Sequence, residues 1–390
     1  MLLENEPYPA DVRVRNEAET LVRAGYRVTV LAPRADRDES RRETVDGVEV
    51  VRFRLPSTSQ NATGFILEYA VAHLQLAWLS LVRVVGGADV LHANNPPDTL
   101  ALLLALARLL GCKTVFDNHD LFPDLFAVRY DSPILTRLLR TFQHIAFRVA
   151  DLVLTTNESQ REIVLEAVTR DPESVVVVRN GPRGVSTSAA TYSSSPQEQR
   201  RRSGVELLFL GALEPQDGVV TLAQVLHALV EHHRLDAHLT VVGAGSSRAP
   251  LEESCLRLGL TDRVFFTGRV PHGQVPQLLE GADVCIDTAP CNELNHRSTM
   301  IKIAEYMAAG KPIVAFDLHE TKRTAGDAAL YAPCGDVDGF AARIAEIVAS
   351  PRLGSEMAEQ AEQRLPQLTW ERSAEALLAG YRRLLGTDSR

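Results

Sequence analysis

The chain has 390 residues, 45% of them hydrophobic and 23% charged, with 41 basic against 50 acidic side chains and a net charge of −9. That length exceeds a single typical core and implies two domains, while the acidic balance gives no footing for general nucleic-acid binding. Five cysteines, Cys112, Cys255, Cys285, Cys291 and Cys334, stand apart without CxxC spacing, which favours a reducing compartment and speaks against a zinc cluster or a disulfide framework.

In chain order, LLEN is a stub of strand, and Met1 is followed by acidic residues and a Pro-rich turn rather than by the pattern of a secretory leader. Asp11 to Ala24 reads as a helix with Val14, Ala18, Leu21 and Val22 inward and Gly25 as its stop. The runs RVTVLAP, VEVVRF, DVLHAN, KTVFDN, DLVLTT and SVVVVRN are short and apolar, fit for a parallel sheet, and helical segments separate most of them. Gly64 to Val85 is rich in leucine and holds Trp78, but Glu68, His73 and Gln75 interrupt it. An amphipathic helix facing the core is therefore expected, with a membrane surface as its other conceivable contact. The longest apolar run, Leu100 to Ala107, is too short to span a bilayer.

These elements make residues 1–180 a doubly wound α/β domain. Residues 181–204 turn to Ser, Thr, Pro and Arg without periodicity, the composition of a linker. A second α/β series occupies 205–368: ELLFLGA, a helix from Gly218 to His232, AHLTVVGAG, a helix from Ala249 to Gly259, VFFTGRV, ADVCID, and a helix from Phe340 to Ser350. A last helix, Trp370 to Leu385, falls in residues 369–390. Two Rossmann-like domains in tandem imply a ligand cleft between them.

The most informative stretch is NELNHRSTMIKIAEYMAAGKPIVAFDL, Asn292 to Leu318. Ser298 or Thr299 can cap a helix whose first turn holds Met300 to Ile303, and Gly310 with Pro312 stops it. Ile301, Ala304 and Ala308 share one side of that helix, Lys302 and Glu305 another. A helix N-terminus after a buried strand suits a pyrophosphate, with Lys302 adding charge and Glu305 placed to accept from two vicinal ribose hydroxyls. An ordinary βαβ unit with a solvated Lys–Glu pair is the bland alternative. GxSxG, P-loop and HExxH patterns are absent, which removes hydrolase, NTPase and zinc-peptidase readings. Asp36-x-Asp38 and Asp336-x-Asp338 read as solvated turns.

The wording STM-x-K-x-x-EYMAAGKPIV resembles the donor-site signature of family 4 retaining glycosyltransferases, in a bacterial branch with STM-x-K-x-x-EYMA-x-GKPIV-x-FDL. The resemblance extends from about Glu4 to Tyr381, the linker excepted. It implies a GT-B fold, with the last helix crossing back to the first domain, and transfer of a sugar from a nucleotide-diphosphate donor with retention. Its acceptor is open: a cell-envelope or exopolysaccharide glycan, a lipid-linked sugar or a secondary metabolite. No metal and no further cofactor are expected, and the location is cytoplasmic, with peripheral contact at the inner face of a membrane as a further expectation. A non-catalytic nucleotide-sugar-binding partner, and behind it a GT-B epimerase, are the rival readings. Compared with related proteins the chain opens inside its first strand, as a shortened edge or a start codon placed too late would leave it.

The resemblance also assigns residues. FDNHD makes His119 the group near the transferred sugar, with Asp120 beside it on the acceptor side. HANNPPD adds Asn94 and Asn95, and ENEPYPADVRVRNEA adds Asp11 and Arg13. FLGALEPQDGVV stands for the phosphate loop, giving Gly211, Asp217 and Gly218. GAGSS gives Gly243 and Gly245 near the phosphates, and TGRV gives Gly268 and Arg269 near the base. Ser298, Thr299 and Met300 line the donor, with Lys302 and Glu305 as its catalytic pair. Two departures stand out. Ala212 and Asp217 replace the usual Arg and Lys of the phosphate loop, leaving Lys302 as substitute cation. Arg297 replaces the earlier glutamate of the family's Glu-x7-Glu pair, so Glu293 or Asn295 is expected to contact the sugar; His296 stands where an aspartate is common.

Overall fold

A computed structural model describes residues 1–36, 39–55, 62–130, 132–183 and 204–387. Asp38 of the first Asp-x-Asp pair and most of the expected linker, 184–203, lie outside the described residues. The chain forms two compact units, Met1–Asn180 with Trp370–Arg390, and Gly181–Thr369.

In the first unit the order is α1 (Val12–Arg23), β1 (Thr29–Pro33), β2 (Arg42–Val45), β3 (Val48–Phe53), α2 (Ala62–Val85), β4 (Val90–Asn94), α3 (Ala101–Leu109), β5 (Lys113–Asn118), α4 (Phe122–Arg129), α5 (Pro133–Val149), β6 (Leu152–Thr155), α6 (Glu158–Ala167) and β7 (Val175–Val177). Strands β4 to β7 form one parallel ladder, and β1, β3 and β2 form another. The N-terminal stub joins them: Leu2 bridges to Leu31 on one side and Ala93 on the other. β2 departs from the all-parallel expectation, because it pairs antiparallel with β3. Asp46 and Gly47 turn that hairpin with φ of 50° and 82°. An Asp-Gly pair between strands favours this turn, whose two central residues both need positive φ. Asp11 caps α1 by accepting from Val14 N at 2.9 Å, and Val14, Ala18 and Leu21 bury its inner stripe.

On α2, Ala72 and Leu76 face the core, whereas Leu74, Trp78, Val82 and Val85 face out, Trp78 at 67% exposure. The expectation of a core-facing helix therefore holds for one stripe and not for the tryptophan. Among the described residues no helix is long and apolar enough to cross a membrane. The C-terminal helix belongs to this unit. Its Trp370, Leu377 and Tyr381 are buried with Leu21, Val115, Leu152 and Leu154, and the Trp370 indole donates to Thr20 Oγ1 at 3.0 Å.

The second unit runs β8 (Val205–Leu210), α7 (Thr221–Glu231), β9 (Ala237–Val242), α8 (Arg248–Arg257), β10 (Val264–Gly268), α9 (Val275–Glu280), β11 (Val284–Asp287), α10 (Glu293–His296), α11 (Ile301–Ala308), β12 (Ile313–Phe316), α12 (His319–Ala325), β13 (Ala329–Ala332), α13 (Val337–Ala349) and α14 (Pro351–Arg364), and α15 (Trp370–Leu385) follows as the helix of the first unit. Its sheet is wholly parallel in the order β10-β9-β8-β11-β12-β13. Strand order reverses between β8 and β11, the switch point where open α/β sheets leave a ligand crevice beyond the strand ends. Apolar clusters fill both faces, one around Phe209, Leu226 and Phe340, the other around Ile303, Tyr306 and Ile313.

The cysteine reading needs correction. Cys291 and Cys334 are joined as a disulfide with their Cα atoms 5.6 Å apart. They are 43 residues apart in sequence. Each lies in a loop just beyond a strand, β11 or β13, and these two strands flank β12. Parallel pairing thus brings together what local spacing rules cannot see. Cys112, Cys255 and Cys285 are free and buried.

Candidate functional site

At the switch point of the second unit, loops after β8, β9 and β10 interlock through their backbones. Gly211 N donates to Val242 O at 3.0 Å, Leu213 N to Ala244 O at 3.1 Å, and Gly243 N to Gly268 O at 3.0 Å. Gly243 has φ of 142°, and a Cβ there would run into the Gly211 carbonyl, so only glycine admits this contact. The turn Pro215–Asp217 follows, closed by Gly218 at φ 63°, where a Cβ would strike the Thr288 carbonyl. The chain beyond β11 braces that turn: Thr288 Oγ1 donates to Gly218 O at 3.2 Å, and Asn295 Nδ2 to Gln216 O at 2.9 Å.

Helix α11 enters beside this turn, and two local expectations change. Its N-cap is Met300, with no side-chain cap, because Ser298 Oγ donates back to Leu294 O at 2.7 Å and closes the unforeseen short helix α10. The first-turn N–H groups of α11 therefore lack a side-chain cap, the arrangement that receives anions. The buried face is Lys302, Ile303, Tyr306 and Met307, while Ile301 and Ala308 are exposed. Tyr306 fixes this rotation: its hydroxyl accepts from Leu210 N at 2.8 Å and donates to Ile286 O at 3.3 Å.

Lys302 is only 7% exposed and reaches Asp217 at 3.0 Å and Asp287 at 3.2 Å. Its ammonium also lies over the Phe209 ring, 4.4 Å from the centroid. The bland reading of a solvated Lys–Glu pair is thus replaced by a buried cation between two aspartates. Burial opposes the charge on Lys302, but Asp287 and Asp217 outweigh it and raise the ammonium pKa. Burial also lifts the Asp217 carboxyl above its ordinary value in spite of Lys302. Glu305 is half-buried one turn further on.

Around this centre the remaining assignments divide. Thr299 is half-buried and Arg269 exposed, the latter just past Gly268 at φ 70°. Glu293 is 84% exposed and pairs with Arg297 at 3.2 Å, a surface i,i+4 pair. Asn295 is buried with its amide held by Gln216 O and Pro290 O, which makes it a brace of the loop. Its expected contact with a sugar has no support from that position.

In the first unit the polar residues also converge on strand ends, but through side chains. Arg13 grips Asp117 with two bonds of 2.6 Å and donates to Val178 O and Asn180 Oδ1 at 2.7 Å. Asp117 Oδ2 also holds His119 Nδ1 at 2.9 Å. Asn95 Oδ1 accepts from the backbone N–H groups of His119 and Asp120, at 3.0 and 3.1 Å, and its amide donates to Asp120 O. Asn94 Nδ2 donates to Leu2 O at 3.1 Å. Arg13, Asn94 and Asn95 are all buried, and their bonds shape the loop that carries His119. His119 and Asp120 are half-buried, and Asp11 is engaged as the α1 cap.

Burial opposes a charged His119, yet the Asp117 carboxylate outweighs it and raises the imidazole pKa to about 9. Asp117 is held well below the carboxylate range, since Arg13 and His119 overcome its desolvation. Burial, aided by Asp117, lifts Glu17 to about 8, and burial lowers His92 to about 3. His92 Nδ1 and the Tyr381 hydroxyl are hydrogen-bonded at 2.8 Å, which ties α15 into the cluster. Asp120 is also raised, by burial first.

Asp117, Asp287 and Tyr306 are the residues that motif reading passed over. The two aspartates carried a signal, a charged residue inside or closing an apolar strand; Tyr306 carried none. Two groups among the described residues gather three potential metal ligands, Glu17 with His92 and Asp117, and Cys291 with His296 and Cys334. Arg13 stands against the first and would repel a cation, and the sulfurs of the second are bonded to each other.

The chain is similar to known glycosyltransferases. A family model described as "Glycosyl transferase 4-like domain" matches residues 10–181, and one described as "Glycosyl transferases group 1" matches 204–350. The chain is 26% identical to a phosphatidyl-myo-inositol mannosyltransferase of Mycolicibacterium smegmatis over 97% of this chain and 93% of that protein. It is 24% identical to a 2-deoxystreptamine glucosyltransferase of Streptomyces kanamyceticus, over 97% and 99%. Among solved structures, Anabaena HepE in complex with UDP-glucose superposes with a TM-score of 0.69 at 17% identity, covering 98% of each chain.

Proposed function

The chain is a family 4-like GT-B glycosyltransferase acting on nucleotide sugars, and from that premise we propose that it moves a hexose or related sugar from a UDP-sugar to a hydroxyl of its acceptor with retention and without a metal. The observation that carries this reading is the uncapped start of α11, with Lys302 beneath it, at the β8/β11 switch point. Backbone N–H groups and the helix dipole receive the diphosphate there, and Lys302 meets its charge as the glycosidic bond breaks. A diphosphate competes with Asp217 for Lys302.

Glu305 then accepts from the ribose hydroxyls. His119, protonated and oriented by Asp117, donates to a hydroxyl of the transferred sugar. Retention follows if the leaving diphosphate takes the acceptor's proton on the same face, a route that needs no protein nucleophile. UDP is the favoured nucleotide because HepE was solved with UDP-glucose, and cyclitols head the acceptor trials because relatives are named for an inositol lipid and for 2-deoxystreptamine. The outward apolar stripe of α2 is the surface we assign to peripheral membrane contact should the acceptor be a lipid, at the cytoplasmic face.

One observation favours a second reading, a non-catalytic nucleotide-sugar-binding partner: Lys302, the cation beside the phosphate turn, is already matched by two carboxylates. A panel of nucleoside diphosphates and UDP-sugars, read by thermal shift and then by slow donor hydrolysis, decides between them. UDP-sugar stabilisation with released UDP is the expected result. Stabilisation with no turnover, even with cyclitol acceptors added, transfers the case to the binding partner, and stabilisation by none of the panel overturns both.

A further inference from the structure

We propose that the Cys291–Cys334 disulfide is a thiol–disulfide exchange site that sets the protein's affinity for its nucleotide sugar, an inference resting on the donor site assigned above. Cys291 lies inside the segment that braces the phosphate turn. Pro290 O before it accepts from Asn295 Nδ2, and Asn292 after it caps α10 by accepting from Asn295 N at 2.8 Å. The same Asn295 holds Gln216, and Thr288 holds Gly218. The bond ties this segment to the loop after β13, two strands away in the sheet. Cleaving it leaves the brace fastened by short hydrogen bonds alone, so the turn carrying Asp217 and Gly218 is less well preorganised for a diphosphate.

The surroundings suit exchange. Cys334 is exposed and Cys291 half-buried, so one sulfur is open to attack. A ring nitrogen of His296 and the two sulfurs all lie within 4.8 Å of one another, which places a polar imidazole beside the bond. The other three cysteines are buried, and burial pushes the thiols of Cys255 and Cys285 up, Cys255 to about 11, so neither competes as a thiolate. The reductant is a dithiol. Its thiolate attacks Cys334 Sγ, the S–S bond breaks, and Cys291 leaves as a thiolate and takes a proton. The second thiol of the reductant then displaces Cys334 as a thiol. Two electrons and two protons pass to the protein, and the reductant leaves as its own disulfide.

The test uses the full chain as purified, the same protein after mild dithiothreitol treatment, and Cys334→Ser, a substitution at an exposed position. Thiols accessible in the native state are counted with a chromogenic disulfide reagent, and UDP and UDP-glucose binding is measured by calorimetry. Two thiols are expected to appear on reduction, one from each partner of the bond. Reduced protein and Cys334→Ser should both bind about fivefold more weakly, the low end of ordinary coupling between sites. Both should melt about 5–10 °C lower, as loss of a cross-link closing a loop of this size predicts. Cys334→Ser should not respond further to dithiothreitol. Absence of new thiols on reduction, or release of two thiols with unchanged affinity, overturns the proposal. Should no nucleotide bind in either state, the donor reading itself falls, and the thiol count with its melting shift separates that failure from a failure of the bond.

Discussion

The two units gather polar residues at the ends of their strands in opposite ways. In the first, side chains satisfy one another: Arg13, Asp117 and His119 form one chain of bonds, and Asn95 fastens the loop around it. In the second, the glycine loops close backbone to backbone, and a single lysine is divided between two aspartates. A cluster tied by direct side-chain bonds is stiff and presents one oriented group, His119, which is 11% exposed. A cation shared by two acids can change partner when an anion arrives. The first arrangement suits a fixed donor to a sugar hydroxyl, the second an exchangeable phosphate contact.

The largest effect should come from breaking the stiff cluster. Asp117→Asn leaves Arg13 and His119 without their shared anion, and losing one partner of a buried pair costs about 3–5 kcal/mol. Thermal or denaturant unfolding checks this. The same variant has a signature that simple destabilisation would not give. His119 has a folded pKa of about 9 against an ordinary 6.5, so its pair contributes fully below about pH 6.5, and that contribution is lost as pH rises through 9. Ring-proton NMR should therefore place the His119 midpoint near 9 in the wild type and return it toward the ordinary value in Asp117→Asn. A midpoint that stays put would mean the aspartate does not hold the imidazole, and the contrast between the units would weaken.

A smaller change is expected for Lys302→Met, which tests the exchangeable side. Removal of the ammonium leaves Asp217 and Asp287 facing each other, for a stability cost of about 3 kcal/mol, the low end for a broken buried pair because Asp217 is partly exposed. UDP binding should fall about 10- to 100-fold, the worth of a charge-assisted contact, while uridine binding should change little. Adding Asp217→Asn to Lys302→Met should recover part of the stability and none of the UDP affinity. Equal losses for UDP and uridine would make Lys302 a purely structural cation.

How much of this was readable in the sequence follows the same divide. Local patterns carried the helices, the strand runs and the landmark from Ser298 to Asp317, because periodicity and caps act over a few residues. What stayed hidden depends on residues brought together by the sheet. Asp217 and Asp287 are 70 positions apart yet share one lysine, and Cys291 meets Cys334 across an intervening strand. The Ser298 cap failed for a different reason: a second, shorter helix just upstream took its hydroxyl. The motifs place Asn94 and Asn95 on the acceptor side, and their bonds to the backbone of Leu2 and His119 are a further role that no local pattern shows.

The finest test concerns Glu305. It lies on α11 one turn beyond Lys302 and is half-buried, and its two carboxylate oxygens can accept from two vicinal hydroxyls. Glu305→Gln keeps the shape and removes the charge, so the unliganded melting temperature should move by less than about 2 °C, the range of a near-isosteric change at a half-buried position. UDP affinity should nevertheless fall about tenfold, because a hydrogen bond to a charged group is worth more than one to an amide. A 2′-deoxyribose nucleotide supplies the control. If Glu305 holds both hydroxyls, wild type should lose affinity for dUDP and Glu305→Gln should lose much less. A variant that melts far below the wild type and discriminates dUDP just as well would assign Glu305 to the framework of α11.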